Sequence, residues 1–325
     1  MSGASSGLVY AHYIGGDKSQ TQLSWGDIKD WKLEQEVLWV HLDGANENAL
    51  NWLEHESGLN PLIQEALLEL GTRPRSMATE SGLLVILRGV NCNPGADPED
   101  MVAIRMFLSD QHIITMRRNR VRAVQDVHES LVAGGGPTSV GEFFVAVVDR
   151  ITERIGEVVG EIEDRVAELE DTIVSAETAE LRPRLAELRR ESISLRRYIA
   201  PQRDMLARLT HERIGWLTEA DRTLLRETAE RTARYVEDID AARERALITQ
   251  EELNSRLSEQ MNRAMYMLSI VAAIFLPLGL LTGLLGINVG GIPGTESPWA
   301  FLIVTVFLVV LAIFLIAWFK KIKWL

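Results

Sequence analysis

The chain has 325 residues, 25% of them charged, and a formal net charge of −12. That length suits two or three domains. The acidity argues against nucleic acid, whose phosphates call for a basic surface, and agrees with a protein that handles cations. One cysteine, Cys92, excludes any intrachain disulfide or thiolate cluster and suits a reducing compartment.

Residues Met1–Gly7 are small and polar, with no basic start and no apolar run. No secretory signal is read there, and the body of the protein is expected to stay on the side where it is made. The first 136 residues mix strand and helix signals. Val37–Leu42, Leu83–Val90, Val102–Leu108 and Ile113–Met116 are short, rich in Val and Ile and bounded by turn-forming residues, and Leu8–Ile14 is a weaker strand candidate. Glu47–Glu56, Pro61–Leu70 and Arg120–Val132 read as helices, the second with Pro at its first position behind Asn60. The order predicts an α/β domain over 1–136, closed by Gly134–Pro137.

A helical segment is expected over 137–263. Phe144, Val148, Ile151, Ile155, Val158, Ile162, Val166, Leu169 and Ile173 recur at spacings of three and four, a heptad-like seam. Leu181, Leu185, Leu188, Leu195 and Ile199 form a second helix, expected to run as far as Pro201. A third begins near Thr218 and meets no Pro or Gly before Pro277. Its buried stripe is Leu225, Ala229, Thr232, Val236, Ile239, Ala242, Ala246, Thr249, Leu253 and Leu257. Continuous from Thr218 to Gly286, it would be ~100 Å long at ~1.5 Å per residue. Its first part is then a coiled-coil stalk.

Residues 264–325 form a transmembrane hairpin. No charge occurs between Arg263 and Glu296, or between Glu296 and Lys320. Ala264–Gly286 and Trp299–Phe319 are each long enough to cross a hydrocarbon core ~30 Å thick. Arg256 and Arg263 precede the pair, Lys320, Lys321 and Lys323 follow it, and the loop 287–298 has no basic residue. Positive-inside bias places both termini in the cytoplasm and this loop outside. Trp299, Trp318 and Trp324 suit interfacial anchoring.

Enzyme templates fail. The one GxSxG string, Gly3–Gly7, precedes the first strand candidate instead of turning from a strand into a helix, the chain has no Walker loop and no GxGxxG opening a helix, and His12, His41, His55, His112, His128 and His211 show no HExxH or HxxxH spacing. His41 and Asp43 can share one face of a strand. No local cluster offers a tight all-protein zinc site.

The informative run is Leu285–Gly294. Gly286 and Ile287 lead to Asn288, whose neutral amide can accept hydrogen bonds from water on a hydrated cation without a carboxylate's grip. A ring of such amides would hold a divalent ion and release it. The alternative is that Asn288 caps a hairpin. Met265, Leu268, Ala272, Leu276, Gly279 and Gly283 share one helical face, which either packs helices through its small residues or lines a conduit. Glu296, the sole charge of the loop, either attracts cations or is simply solvated. The stalk carboxylates Glu237, Asp238, Asp240, Glu251 and Glu252 are weak metal candidates. Neither span holds an ionisable carboxylate for a proton relay.

The α/β domain, the stalk, the two spans and Gly-x-Asn closing the first resemble the CorA superfamily of divalent-cation transporters. The run Gly286–Gly294 and the Lys-Trp-Leu ending look most like its ZntB branch of zinc transporters. Leu285 stands where the family often has Tyr or Phe. The resemblance implies an α+β protein of CorA-like architecture, a homopentameric funnel in the inner membrane with the first span around a pore and Asn288 at its mouth. It implies zinc as cargo rather than cofactor, with proton coupling suggested for this branch. Two other readings stand: a magnesium or cobalt channel of the same superfamily, and a membrane-anchored coiled-coil scaffold that transports nothing.

Overall fold

The structure, a computed structural model, describes residues 7–16, 20–31, 36–173, 181–287, 292, 294 and 297–322. It divides into two compact units, Met1–Gln250 and Glu251–Leu325.

The first unit is built on a six-stranded sheet of order β1-β2-β6-β5-β4-β3. Its strands are β1 (Leu8–Ile14), β2 (Val37–Asp43), β3 (Arg75–Thr79), β4 (Gly82–Gly89), β5 (Val102–Leu108) and β6 (His112–Arg117). Among the described residues only β2 and β6 pair in parallel, with Val40 beside Ile114; the remaining pairs are antiparallel. Alternation along the strands divides the side chains between two faces. Leu38, Val40, Leu42, Leu84, Phe107, Ile114 and Met116 share a core with Ile28 of α1 (Trp25–Asp30), Trp52 and Leu53 of α2 (Glu47–His55), and Ile63 and Leu67 of α3 (Pro61–Leu68).

The opposite face meets α4 (Arg122–Val132), α5 (Val140–Thr172) and α6 (Leu181–Leu209). The ring of Trp39 lies 4.8 Å from that of Phe143 on α5. The backbone N–H of Arg88 donates to Gln202 of α6 at 2.9 Å. Two elements carry no signal in the sequence. Helix α1 has six residues with only Ile28 buried, and β3 is an edge strand without one buried side chain. Neither offers an apolar period to read.

Pro201 does not end the second long helix. Helix α6 runs through it to Leu209. Proline there deletes one main-chain hydrogen bond, but Gln202, Met205, Leu206 and Leu209 beyond it are buried. Tertiary burial outweighs the local break. Helix α7 spans Glu219–Gly286 as one element of 68 residues. Its start is fixed by a reciprocal cap: Asp221 accepts from the Thr218 N–H at 3.0 Å, and Thr218 accepts from the Asp221 N–H at 3.2 Å. Leu225, Ala229, Thr232, Val236, Ile239, Ala242, Ala246, Thr249 and Leu253 are buried along it, whereas Leu257 is only half-buried. Paired groups bind the long helices together: Arg165 to Glu191 at 2.6 and 3.0 Å, Arg245 to Glu170 at 3.0 and 2.5 Å, and Arg231 to Asp149.

In the second unit the end of α7 is joined by α8 (Ala300–Lys321). Both helices are long and apolar enough to cross a membrane.

Candidate ion pathway

The apolar end of α7 has two unlike sides. Ile270 is buried, and Ala273, Ile274, Pro277, Leu278 and Leu281 are half-buried. Met265, Leu268, Ala272, Leu276, Gly279 and Gly283 are all exposed, Leu276 to 74%. At 3.6 residues per turn these sets fall on roughly opposite sides of the helix. On α8, Ala300, Val304, Leu308, Leu311, Ala312, Leu315 and Phe319 form a half-buried stripe, and the remainder is bare, Phe301 to 84%.

Bare apolar surface on this scale needs lipid or other copies of the chain to cover it. The glycines sharpen the point. A Cβ added to Gly279, Gly283 or Gly286 meets nothing within 4 Å among the described residues. Small residues are normally kept where backbones approach closely, and among the described residues no backbone approaches these.

The serine and threonine hydroxyls of the described spans turn back onto their own helices. Thr282 donates to the carbonyls of Leu278 and Gly279 at 3.0 and 3.1 Å, Ser269 to Met265 at 2.9 Å, and Thr305 to Phe301 at 2.8 Å. Each is satisfied within its own helix, the usual solution in hydrocarbon. Pro277 lies inside the helix and cannot bond the carbonyl one turn back, at Ala273. Gly286 ends α7 and Ile287 is exposed beyond it. Asn288, Glu296, Lys323 and Trp324 lie outside the described residues.

The remaining sequence candidates are placed as follows. Asp240 accepts from Arg196 at 2.6 Å, and Glu252 from Arg256 of its own helix at 2.6 Å. Glu237 and Glu251 are exposed and Asp238 half-buried. Among the described residues no three His, Cys, Asp or Glu side chains come together to hold a metal. His41 and Asp43 do not act together: Nδ1 of His41 contacts the Thr115 hydroxyl at 2.7 Å, while Asp43 accepts from the Ala45 N–H at 2.9 Å. Burial holds His41 well below its ordinary range, with Arg117 and His128 adding to the effect.

Residues 34–321 match the family model described as CorA-like Mg2+ transporter protein. The chain belongs to the CorA family. It is 38% identical over 328 residues to the divalent cation transporter CmaX of Pseudomonas aeruginosa, covering 100% of this chain and 98% of that one. With the zinc transport protein ZntB of Yersinia enterocolitica it shares 34% over 320 residues, 98% of this chain and 97% of the relative. The solved structure of full-length CmaX superposes with a TM-score of 0.85 at 37% identity and covers 100% of both chains. An α/β domain, a long helix and two C-terminal apolar helices are thus the family's architecture, and the chain is a membrane-embedded divalent-cation transporter of the CorA/ZntB type.

Proposed function

We propose that this protein carries zinc across the inner membrane as a homopentamer, with both termini in the cytoplasm. The stripe Met265, Leu268, Ala272, Leu276, Gly279 and Gly283 faces the common axis, and Gly286, Ile287 and Asn288 form the outer mouth. The observation that carries this reading is the bare stripe: it lies opposite the half-buried side of α7, and a Cβ on its glycines meets nothing within 4 Å among the described residues. Five copies arranged around these faces cover them and leave one apolar passage. Such a passage admits a hydrated ion when wide and closes by dewetting where Met265, Leu268 and Leu276 narrow it.

Zinc is favoured by the similarity to zinc transport proteins over nearly the whole chain. No carboxylate lies in either span, so a coupling proton has to travel with the cargo's water or through the mouth rather than by side-chain relay. Glu296 adds a cation-attracting charge at the outer surface, and the stalk carboxylates lie along the inner approach. The Asn288→Ala variant in proteoliposomes tests the reading: assembly should persist while zinc uptake falls to the leak level. Unchanged uptake removes Asn288 from the pathway, and uptake measured with and without a pH gradient decides proton coupling. Magnesium is the second cargo to weigh, because the family model is that of magnesium transporters. Competition of zinc and magnesium in the same flux assay separates the two.

A further inference from the structure

Two histidines far apart in sequence meet between the sheet and α4. His12 of β1 is fully buried, and its Nε2 lies 3.1 Å from Nε2 of His128, a half-buried residue of α4. Aromatic rings hold the pair on several sides. Tyr10 stacks on His128 at 3.9 Å between centroids and on His41 at 5.0 Å. Trp39 contacts His12 and His128 at 6.3 and 6.2 Å, and is backed by Phe143. The indole N–H of Trp39 is fixed by the Thr115 hydroxyl at 2.8 Å. The two imidazoles therefore have little freedom to turn away from each other.

From this geometry we infer that His12 and His128 form a binding site for a zinc-class transition-metal ion in the cytoplasmic domain. Two nitrogens on one tetrahedral zinc, each at ~2.0–2.1 Å, stand about 3.3 Å apart. The observed 3.1 Å needs only a few tenths of an ångström of opening. Imidazole selects zinc, copper or nickel and leaves magnesium to oxygen ligands. Both rings must be neutral to ligate, and burial lowers His128 from its ordinary range, helped by His12 and opposed by Glu129. No proton is lost overall. The ring whose Nε2–H donates in the metal-free pair moves that hydrogen to Nδ1, and both Nε2 lone pairs then point at the ion.

No third His, Cys, Asp or Glu converges on the pair among the described residues. Water completes the coordination, reached past the half-buried His128, and the site is an exchangeable one. An ion there ties the first strand to α4. The site is independent of the proposed pore, because it lies in the first unit and requires nothing of residues 265–288.

The test is equilibrium dialysis of the purified, tag-free full-length protein against zinc chloride. Wild type and Asn288→Ala should each bind one more zinc per chain than His128→Gln, and a hundredfold excess of magnesium chloride should not displace it. Equal zinc stoichiometry in wild type and His128→Gln overturns the inference, as does displacement by magnesium. Circular dichroism checks that His128→Gln is folded. If it is not, one equivalent of cobalt chloride on wild type gives the second readout. Visible bands of tetrahedral cobalt, lost in His12→Gln, support the site; the absence of such bands refutes it.

Discussion

At the scale of single residues, burial decides how the histidines behave. His41 and His112 are both lowered from the ordinary range, chiefly by burial. They stay neutral in the folded domain, whereas the unfolded chain takes up protons near ~6.5. The unfolded state therefore binds more protons in acid. The stabilisation is fully present above ~6.5 and is lost as pH falls towards the folded-state values, about 1.4 kcal/mol per histidine for each pH unit. Chemical denaturation followed by circular dichroism should show a lower midpoint at pH 5.5 than at pH 7.5. In His41→Asn the dependence should be shallower; a slope equal to that of wild type would mean that His41 does not hold the neutral form.

A second residue-scale prediction concerns the glycines of α7. A Cβ added at Gly283 meets nothing within 4 Å among the described residues, and leucine is a better helix former than glycine by roughly 0.5–1 kcal/mol. The helical content of the variant should match or exceed wild type while zinc uptake is lost. Normal uptake by this variant would show that the face does not border the ion's route.

Individual elements show what the sequence could and could not say. Strands β2, β4, β5 and β6 announce themselves as Val- and Ile-rich runs, and α5 and α7 by apolar periods sustained over many turns. Edge strand β3 and the six-residue α1 bury too little to leave a pattern. Pro201 misleads, because the residues past it are held by burial that no local signal records. The apolar stripe of α7 was legible as a helical face, but sequence alone left open whether that face meets a neighbour in its own chain. The histidine pair was not legible at all. His12 and His128 are joined by the placement of β1 at one edge of the sheet and the return of α4 across it, a long-range consequence of topology.

Tight packing along α7 gives an element-scale prediction. Ala246 is fully buried within the helical layer. Ala246→Leu adds three carbons where no room exists and should cost about 1–3 kcal/mol, read as a lower unfolding midpoint. The ion pair of Arg245 and Glu170 beside it is half-exposed, and Arg245→Ala should cost no more than about 1 kcal/mol. A reversed order of these two costs would mean that charge, rather than packing, holds the stalk together.

For the whole molecule, the composition resolves into two unlike parts. A charge-rich body folds around its own sheet and helical core, while the C-terminal pair of helices leaves most of its apolar surface uncovered. In the proposed assembly lipid covers part of that surface and neighbouring copies cover the glycine-bearing stripe of α7. Native mass spectrometry from lipid nanodiscs should give a single pentameric species; a monomer would leave the stripe facing acyl chains and remove the passage.

The most direct measurement asks whether that stripe meets water on the ion's route. Ala272→Cys and Val309→Cys are made separately in a Cys92→Ser background and labelled with a charged thiol reagent during zinc flux. Ala272 lies on the stripe and Val309 on the bare side of α8. Labelling should stop flux through Ala272→Cys and leave Val309→Cys unaffected. Complete labelling of Ala272→Cys with undiminished flux would contradict the account.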